Sequence, residues 1–291
     1  MAFGLFVGLT TLDFIYLTPG IPQPNQKLVA IDAMTAAGGP ATNASVTFQA
    51  LGNQSRLLSA IGKHSSSSMI REDLKQLELR DLAPDRLESP PISSILVTQS
   101  TGDRAVISMN ATRFQAEALS EALLTEWLTG IDIVLVDGHQ MAMSVAIVQL
   151  AKSKGIPVVM DGGSWKEGFD TLLPYIDYAI CSANFLPPNC TGPSLEEILD
   201  YLANFGISNR AITRGAQEIV YCDRQQAGSI PVPQVSTIDT LGAGDIFHGA
   251  FCHFILQQSF PIALSNAAKV AAQSCQQFGT RSWLSTLNSP S

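Results

Sequence analysis

Short, mostly apolar runs recur along this chain at residues 3–9, 56–60, 131–136, 157–160, 178–181, 211–213 and 219–222. They lack the regular in–out alternation of a half-exposed strand, and a strand covered on both faces reads this way. The cover has to come from the segments between them, and 42–51, 66–77, 116–128, 143–153 and 194–205 carry a helical period. Ser194 with Glu197 three residues on is a capping-box start. Lys154-Gly155-Ile156-Pro157 ends one helix and opens the next strand. Alternation of this kind predicts an α/β fold: a doubly wound, mostly parallel sheet with helices on both faces. Hydrophobic residues make up 46% of the 291 and charged residues 14%. That excludes a disordered chain and suits one large core, hence a single domain over 1–291.

Two stretches, 14–37 and 92–110, interrupt the pattern. The first is rich in Pro and polar residues and ends on a mixed strand. The second is two β-rich runs around Ser100-Thr-Gly-Asp103, which predicts a hairpin. Together they are expected to form a small β-lid over the ligand edge of the sheet, with strands that could pair with a second copy.

Acidic residues number 25 against 17 basic, for a net charge of −8. With no Lys/Arg run, nucleic acid is excluded as a partner. No apolar run is long enough for a bilayer, so no membrane partner is expected. Residues 2–16 lack a basic flank and carry Asp13, so they read as a first buried strand rather than a secretory signal. The five cysteines have no CxxC spacing, which points to free thiols, a reducing compartment and a cytoplasmic location.

The chemistry concentrates in Asp239-Thr-Leu-Gly-Ala-Gly-Asp-Ile-Phe-His-Gly-Ala250. Gly242, Ala243 and Gly244 stand at the mouth of an apolar helix, where unpaired N–H groups and the helix dipole make an anion hole. Asp245 falls in the first turn, where it is expected to be ionised. A base beside a phosphate cradle is what hydroxyl-to-phosphate transfer requires. His248, three residues on, reads as a local structural partner, and His139 as a loop residue that could touch substrate. No P-loop, Rossmann glycine pattern or nucleophile elbow competes.

This motif resembles the C-terminal signature of the PfkB (ribokinase-like) carbohydrate kinases, and further matches follow in order along the chain. Gly38-Gly-Pro-Ala-Thr-Asn-Ala-Ser45 resembles the family's N-terminal Gly-Gly motif. The resemblance implies that Gly38, Gly39 and Asn43 contact sugar, with Asp13 on its hydroxyls. Thr213-Arg-Gly-Ala216 resembles the step lining the nucleotide, which implicates Thr213 and Gly215, and Asn266 falls where the family packs against adenine. ATP, Mg²⁺ and, in some members, a monovalent cation are implied. The D-x-F-H-G-A form and Gly102-Asp-Arg104 are similar to the ketohexokinase and sulfofructose kinase branches.

One departure stands out. The family's N-x-x-E metal motif reads Asn184-Phe-Leu-Pro187 here, which leaves Asn184, Asp161 or water to organise Mg²⁺. The expected activity is ATP-dependent phosphorylation of a small sugar. A nucleoside kinase of the same fold, or an impaired sugar- or nucleotide-binding regulatory protein, stands as the alternative. The cations available near the lid are Lys27, Arg104 and Arg113, with Arg104 placed to approach the phosphates. Asp13, Gly39 and Asn43 suit hydroxyls rather than an anion, so a neutral ketose, pentose or hexose is the expected acceptor.

Overall fold

The computed structural model describes residues 1–109, 114–188, 190, 194–224 and 226–288. Asn110, the end of the second lid stretch, and Arg113 lie outside these. In chain order the strands are β1 (Phe3–Val7), β2 (Thr11–Thr18), β3 (Asp32–Gly38), β4 (Gln54–Ser59), β5 (Glu78–Asp81), β6 (Ile92–Thr98), β7 (Arg104–Ser108), β8 (Ile133–Val136), β9 (Val158–Gly162), β10 (Tyr178–Ser182), β11 (Asn209–Arg214), β12 (Gln217–Asp223) and β13 (Gln226–Ile230). The helices are α1 (Pro40–Ala50), α2 (Ser67–Asp73), α3 (Glu121–Trp127), α4 (Met141–Ser153), α5 (Phe169–Leu172), α6 (Leu195–Asn204), α7 (Ala243–Ile255) and α8 (Phe260–Ser274).

A nine-stranded sheet runs in the order β13-β12-β11-β10-β9-β8-β1-β4-β5. It is parallel from β5 to β11, and β12 and β13 close it antiparallel. The chain leaves β1 toward β4 on one side and continues through β8 on the other. The loops after β1 and β8 therefore diverge at a switch point, where α/β sheets open a ligand crevice at the carboxyl ends of their strands. One face of the sheet packs Phe6, Leu57, Leu135 and Ile180 against α1, α7 and α8. The other packs Val7, Val134, Met160 and Ile212 against α3, α4 and α6. Ser194 caps α6 as its sequence predicts, its Oγ accepting from Glu197 N at 3.3 Å.

The small sheet runs β3-β2-β6-β7. It seats Ile15, Leu17, Ile95 and Val97 on Met34, Leu241 and Phe278. Residues 2–16 therefore form two strands in two sheets, not one. Apolar continuity hides the break at residues 8–10, because both strands are buried.

Candidate active site

Gly242 precedes α7 with φ 70°, a left-handed turn that places the helix N-terminus at the crevice. Gly244 is exposed, and a Cβ built there meets nothing within 4 Å. The mouth of α7 is open space at Gly244, while the Ala243 N–H, expected to be unpaired, donates to the Thr240 carbonyl at 3.3 Å. Further along α7, Gly249 lies so close to α1 that a side chain would run into the Ala44 carbonyl. This contact draws the two helices together until Asn43 Nδ2 donates to Asp245 Oδ2 at 2.8 Å.

Asp245 is half-buried. Burial first, and then the negative charge of Asp161, push its carboxyl up to about 7, against the Asn43 hydrogen bond and the pull of His248. The ionised state expected from the helix N-terminus alone is corrected by these neighbours. A base must be deprotonated to accept a proton, so with Asp245 in the role expected from the sequence, activity would be lost on the acid side. kcat/KM should fall about tenfold per pH unit below about pH 7. A flat profile from pH 5.5 to 8 would remove Asp245 from that role.

Asp137, just after β8, organises the loop after β1 and the start of α1. It accepts from Leu9 N at 2.9 Å, Ala41 N at 3.1 Å and His139 N at 2.8 Å. Burial raises this carboxyl, but His139 and the backbone donors prevail and hold it at about 2. Its stabilisation is in place above pH 3.8 and is lost as pH falls through about 2. Asp137→Asn should cost about 2–4 kcal/mol at pH 7 by denaturant unfolding. His139 is thereby turned onto Asp137.

His248 Nδ1 bonds the Gly244 carbonyl at 2.7 Å and Nε2 the Ile180 carbonyl at 3.1 Å. It pins the first turn of α7 to β10, a structural task. Asp161 faces His248 Nδ1 at 3.4 Å and is 4% exposed. Asn184 is exposed.

On the lid side, Asp13 is buried, accepts from Thr11 Oγ1 at 2.6 Å and lies over Gly38, whose Cβ would strike its carboxylate. Desolvation raises the Asp13 pKa against hydrogen bonds from Thr11 and Ser93. Gly39, at φ 102°, caps α1 and leaves no room for a side chain beneath Leu9 O. Lys27 is exposed on the β2–β3 connection. Arg104 does not stand free. Its Nη1 donates to Thr240 O at 3.0 Å and Thr240 Oγ1 at 2.8 Å, latching the β6–β7 hairpin onto the turn before α7.

The sequence reading missed Arg281. Its Nη1 donates to Asn43 Oδ1 at 3.0 Å, and its Nη2 to the Ala37 carbonyl and to Asp73 Oδ2 at 3.2 Å. No motif marks it; a lone Arg near the end of the chain gives no signal until the fold returns that segment to α1.

Of the residues that the resemblance assigns to the nucleotide, Thr213 is the next-to-last residue of β11, its Oγ1 donating to Cys181 O at 3.4 Å. Gly215 makes the β11–β12 turn at φ 62°. Asn266 on α8 is turned onto Gln258 at 2.9 Å and Lys269 at 3.0 Å. Among the described residues, no hydrogen bond joins Asn266 to Thr213 or Gly215.

Comparison with known proteins bears on the fold and the family. The model of the "pfkB family carbohydrate kinase" matches residues 1–287. The ribokinase of Lactococcus lactis is 23% identical over 287 residues, covering 97% of this chain and 93% of its own. The fructosamine kinase of Bacillus subtilis is 24% identical, with 83% of this chain and 84% of its own covered. Among solved structures, Arabidopsis thaliana ribokinase complexed with ribose and ATP superposes with a TM-score of 0.78 at 20% identity, covering 100% of both chains. A microbiome-derived acarbose kinase gives 0.81 at 19%, covering 97% of this chain and 95% of its own. A match over nearly the whole chain, with the ribokinase-like fold, settles the family: this chain belongs to the pfkB family of carbohydrate kinases.

Proposed function

We propose that this kinase transfers the γ-phosphoryl group of ATP to a hydroxyl of a neutral sugar, with Asp245 as general base. The observation that carries the reading is Asp245, its carboxyl poised near neutrality, beside the open mouth of α7 and fixed by Asn43. Backbone N–H groups at Gly242 and Gly244, joined by that of Ala243 when it leaves the Thr240 carbonyl, would neutralise charge on the phosphoryl group in flight. Asp13, Gly38, Gly39 and Asn43 line the acceptor side, and Thr213, Gly215 and Asn266 remain the nucleotide side. Mg²⁺, when bound with ATP, neutralises charge on the phosphates. Asp161 is turned onto His248, so of the two candidate side chains exposed Asn184 fits better, with phosphate and water oxygens completing the shell. A monovalent cation stays part of the proposal only by family likeness.

Charge supports a neutral acceptor. Arg281 spends both Nη groups on protein oxygens, Arg104 is bound to Thr240, and Asp13 would repel an anion. kcat/KM should favour neutral ketoses, pentoses and hexoses over their monophosphates or a sulfonated ketose by at least about tenfold. A preference for the anions that disappears in Lys27→Ala would reverse this and make Lys27 the specificity residue. Sugar-dependent ADP formation separates an active kinase from an impaired binding protein. The assembled base and anion hole favour activity despite Pro187. Including nucleosides in the same panel tests the nucleoside-kinase reading.

Pairing of lids between two copies is also proposed. Among the described residues, β7 is one of the two edges of the small sheet and exposes Val106 (48%) and Ile107 (75%). Light scattering that finds only monomer at micromolar concentration would dismiss it.

A further inference from the structure

The side chain of Asn43 stands between a cation and a carboxylate, and its two ends are chemically opposite. The amide can face either way by shape alone, because oxygen and NH₂ are nearly the same size. With its oxygen toward Arg281 and its NH₂ toward Asp245, both contacts pair a donor with an acceptor. Turned around, NH₂ would meet guanidinium N–H and the amide oxygen would meet a carboxylate, so both contacts would be repulsive. The guanidinium is itself fixed. Nη1 also lies 3.2 Å from Thr280 Oγ1 and 3.3 Å from Thr280 O, while Nη2 holds the Ala37 carbonyl and Asp73. Thr280 is 2% exposed, and its Cγ2 lies 2.9 Å from where a Cβ on Gly242 would stand. Arg281 is thus anchored between the root of lid strand β3 and the anion-hole turn.

We propose that Arg281 is a positioning residue of the transfer reaction: by fixing Asn43 as a donor, it holds Asp245 Oδ2 and leaves Oδ1 to take the proton of the acceptor hydroxyl. The inference rests on the reading of Asp245 as base. A simple tether would have done with the Asp73 ion pair. Here half of the fork is spent on a neutral amide whose other side-chain partner, among the described residues, is the base. The groups acting on Asp245 are Asp161 on β9, Asp137 after β8, His248 on α7, Asn43 on α1 and Arg281 itself. Arg281 therefore acts in two ways, through its charge and through Asn43, and Arg281→Lys separates them. Lysine keeps the charge but lacks the planar fork that reaches Asn43, Ala37 and Asp73 together.

The test compares Arg281→Lys, Asn43→Ala and the double variant, each first shown by thermal melting to be folded. In the ADP-release assay Arg281→Lys should lower kcat about tenfold or more, with KM for ATP within about twofold of wild type. The double variant should be no slower than Asn43→Ala alone. A second readout needs no turnover. The Asp245 carboxyl, identified by its absence in Asp245→Asn, is titrated by ¹³C NMR in the ATP-free protein. Its midpoint should rise in Arg281→Lys and in Asn43→Ala, with no further rise when they are combined. Wild-type kcat and midpoint in Arg281→Lys, or additive effects in the double variant, overturn the proposal. If no acceptor releases ADP from the wild-type protein, the kinase reading fails by itself, and the NMR midpoints alone decide whether Arg281 acts through Asn43.

Discussion

Asp245→Asn leaves a folded protein that binds ATP almost as wild type does and transfers almost no phosphoryl group. The expected loss in kcat is about 10²–10⁴, the range for a positioned base. The reason is differential. On the proposed reading Asp245 acts as the hydroxyl proton departs, whereas ATP in the ground state would be held by backbone N–H groups that the substitution does not touch. Asparagine keeps the shape and can still accept from Asn43 Nδ2, so the contact between α1 and α7 survives. The same change should stabilise the ATP-free protein. Burial and Asp161 raise the folded-state pKa of Asp245 from 3.8 to about 7. A raised carboxyl pKa means that stability is in place below pH 3.8 and is lost as pH climbs through about 7. At about 1.4 kcal/mol per pH unit the ceiling is about 4 kcal/mol, and solvent at the mouth of α7 reduces it to about 2. The variant should therefore melt several degrees above wild type at pH 8, with the gap closing toward pH 4. Wild-type turnover in the folded variant would sink the assignment. An unchanged melting temperature with lost turnover would leave the base in place but remove its buried, charge-crowded setting.

What could be read in the sequence, and what could not, follows from how each signal is written into a chain. Strands β8, β9 and β10 sit in the middle of the large sheet with both faces covered, so apolar continuity betrays them. The edges do not show. β5 reads Glu-Leu-Arg-Asp and β13 reads Gln-Ala-Gly-Ser-Ile, because an edge strand meets water and carries no unbroken apolar run. The glycine turn that opens α7 was legible for the same local reason: a left-handed turn, small residues and a helix start are all neighbours in the chain. Asn43 lies 202 positions from Asp245 and Arg281 lies 238 from Asn43, and nothing local records that they meet. The ionisation of Asp245 was misjudged on the same account. A helix N-terminus is visible in sequence, but the opposing charge of Asp161 arrives from β9 through the fold.

The two glycines of the α7 turn should answer differently to substitution. Gly242 is a backbone requirement. Its φ of 70° is strained for any L side chain, and a Cβ would stand 2.9 Å from Thr280 Cγ2. Gly242→Ala should lower stability by about 1–2 kcal/mol. Gly244 is a requirement for space. Its backbone carries no positive φ, its Cβ would touch nothing, and a first-turn valine is no worse a helix residue than glycine. Gly244→Val should therefore melt within a degree or two of wild type. Its isopropyl group projects into the open volume at the N-terminus of α7, where on the proposed reading phosphate oxygens reach the N–H groups. Losing that approach should weaken ATP binding at least about tenfold, and kcat by about 10²–10³ if the same N–H groups hold the phosphoryl group in transit. Calorimetric titration of ATP into the two variants, beside their melting curves, separates the cases. If Gly244→Val binds ATP normally and turns over normally, the phosphoryl group does not pass over the mouth of α7, and the anion hole must be sought along another loop of the crevice.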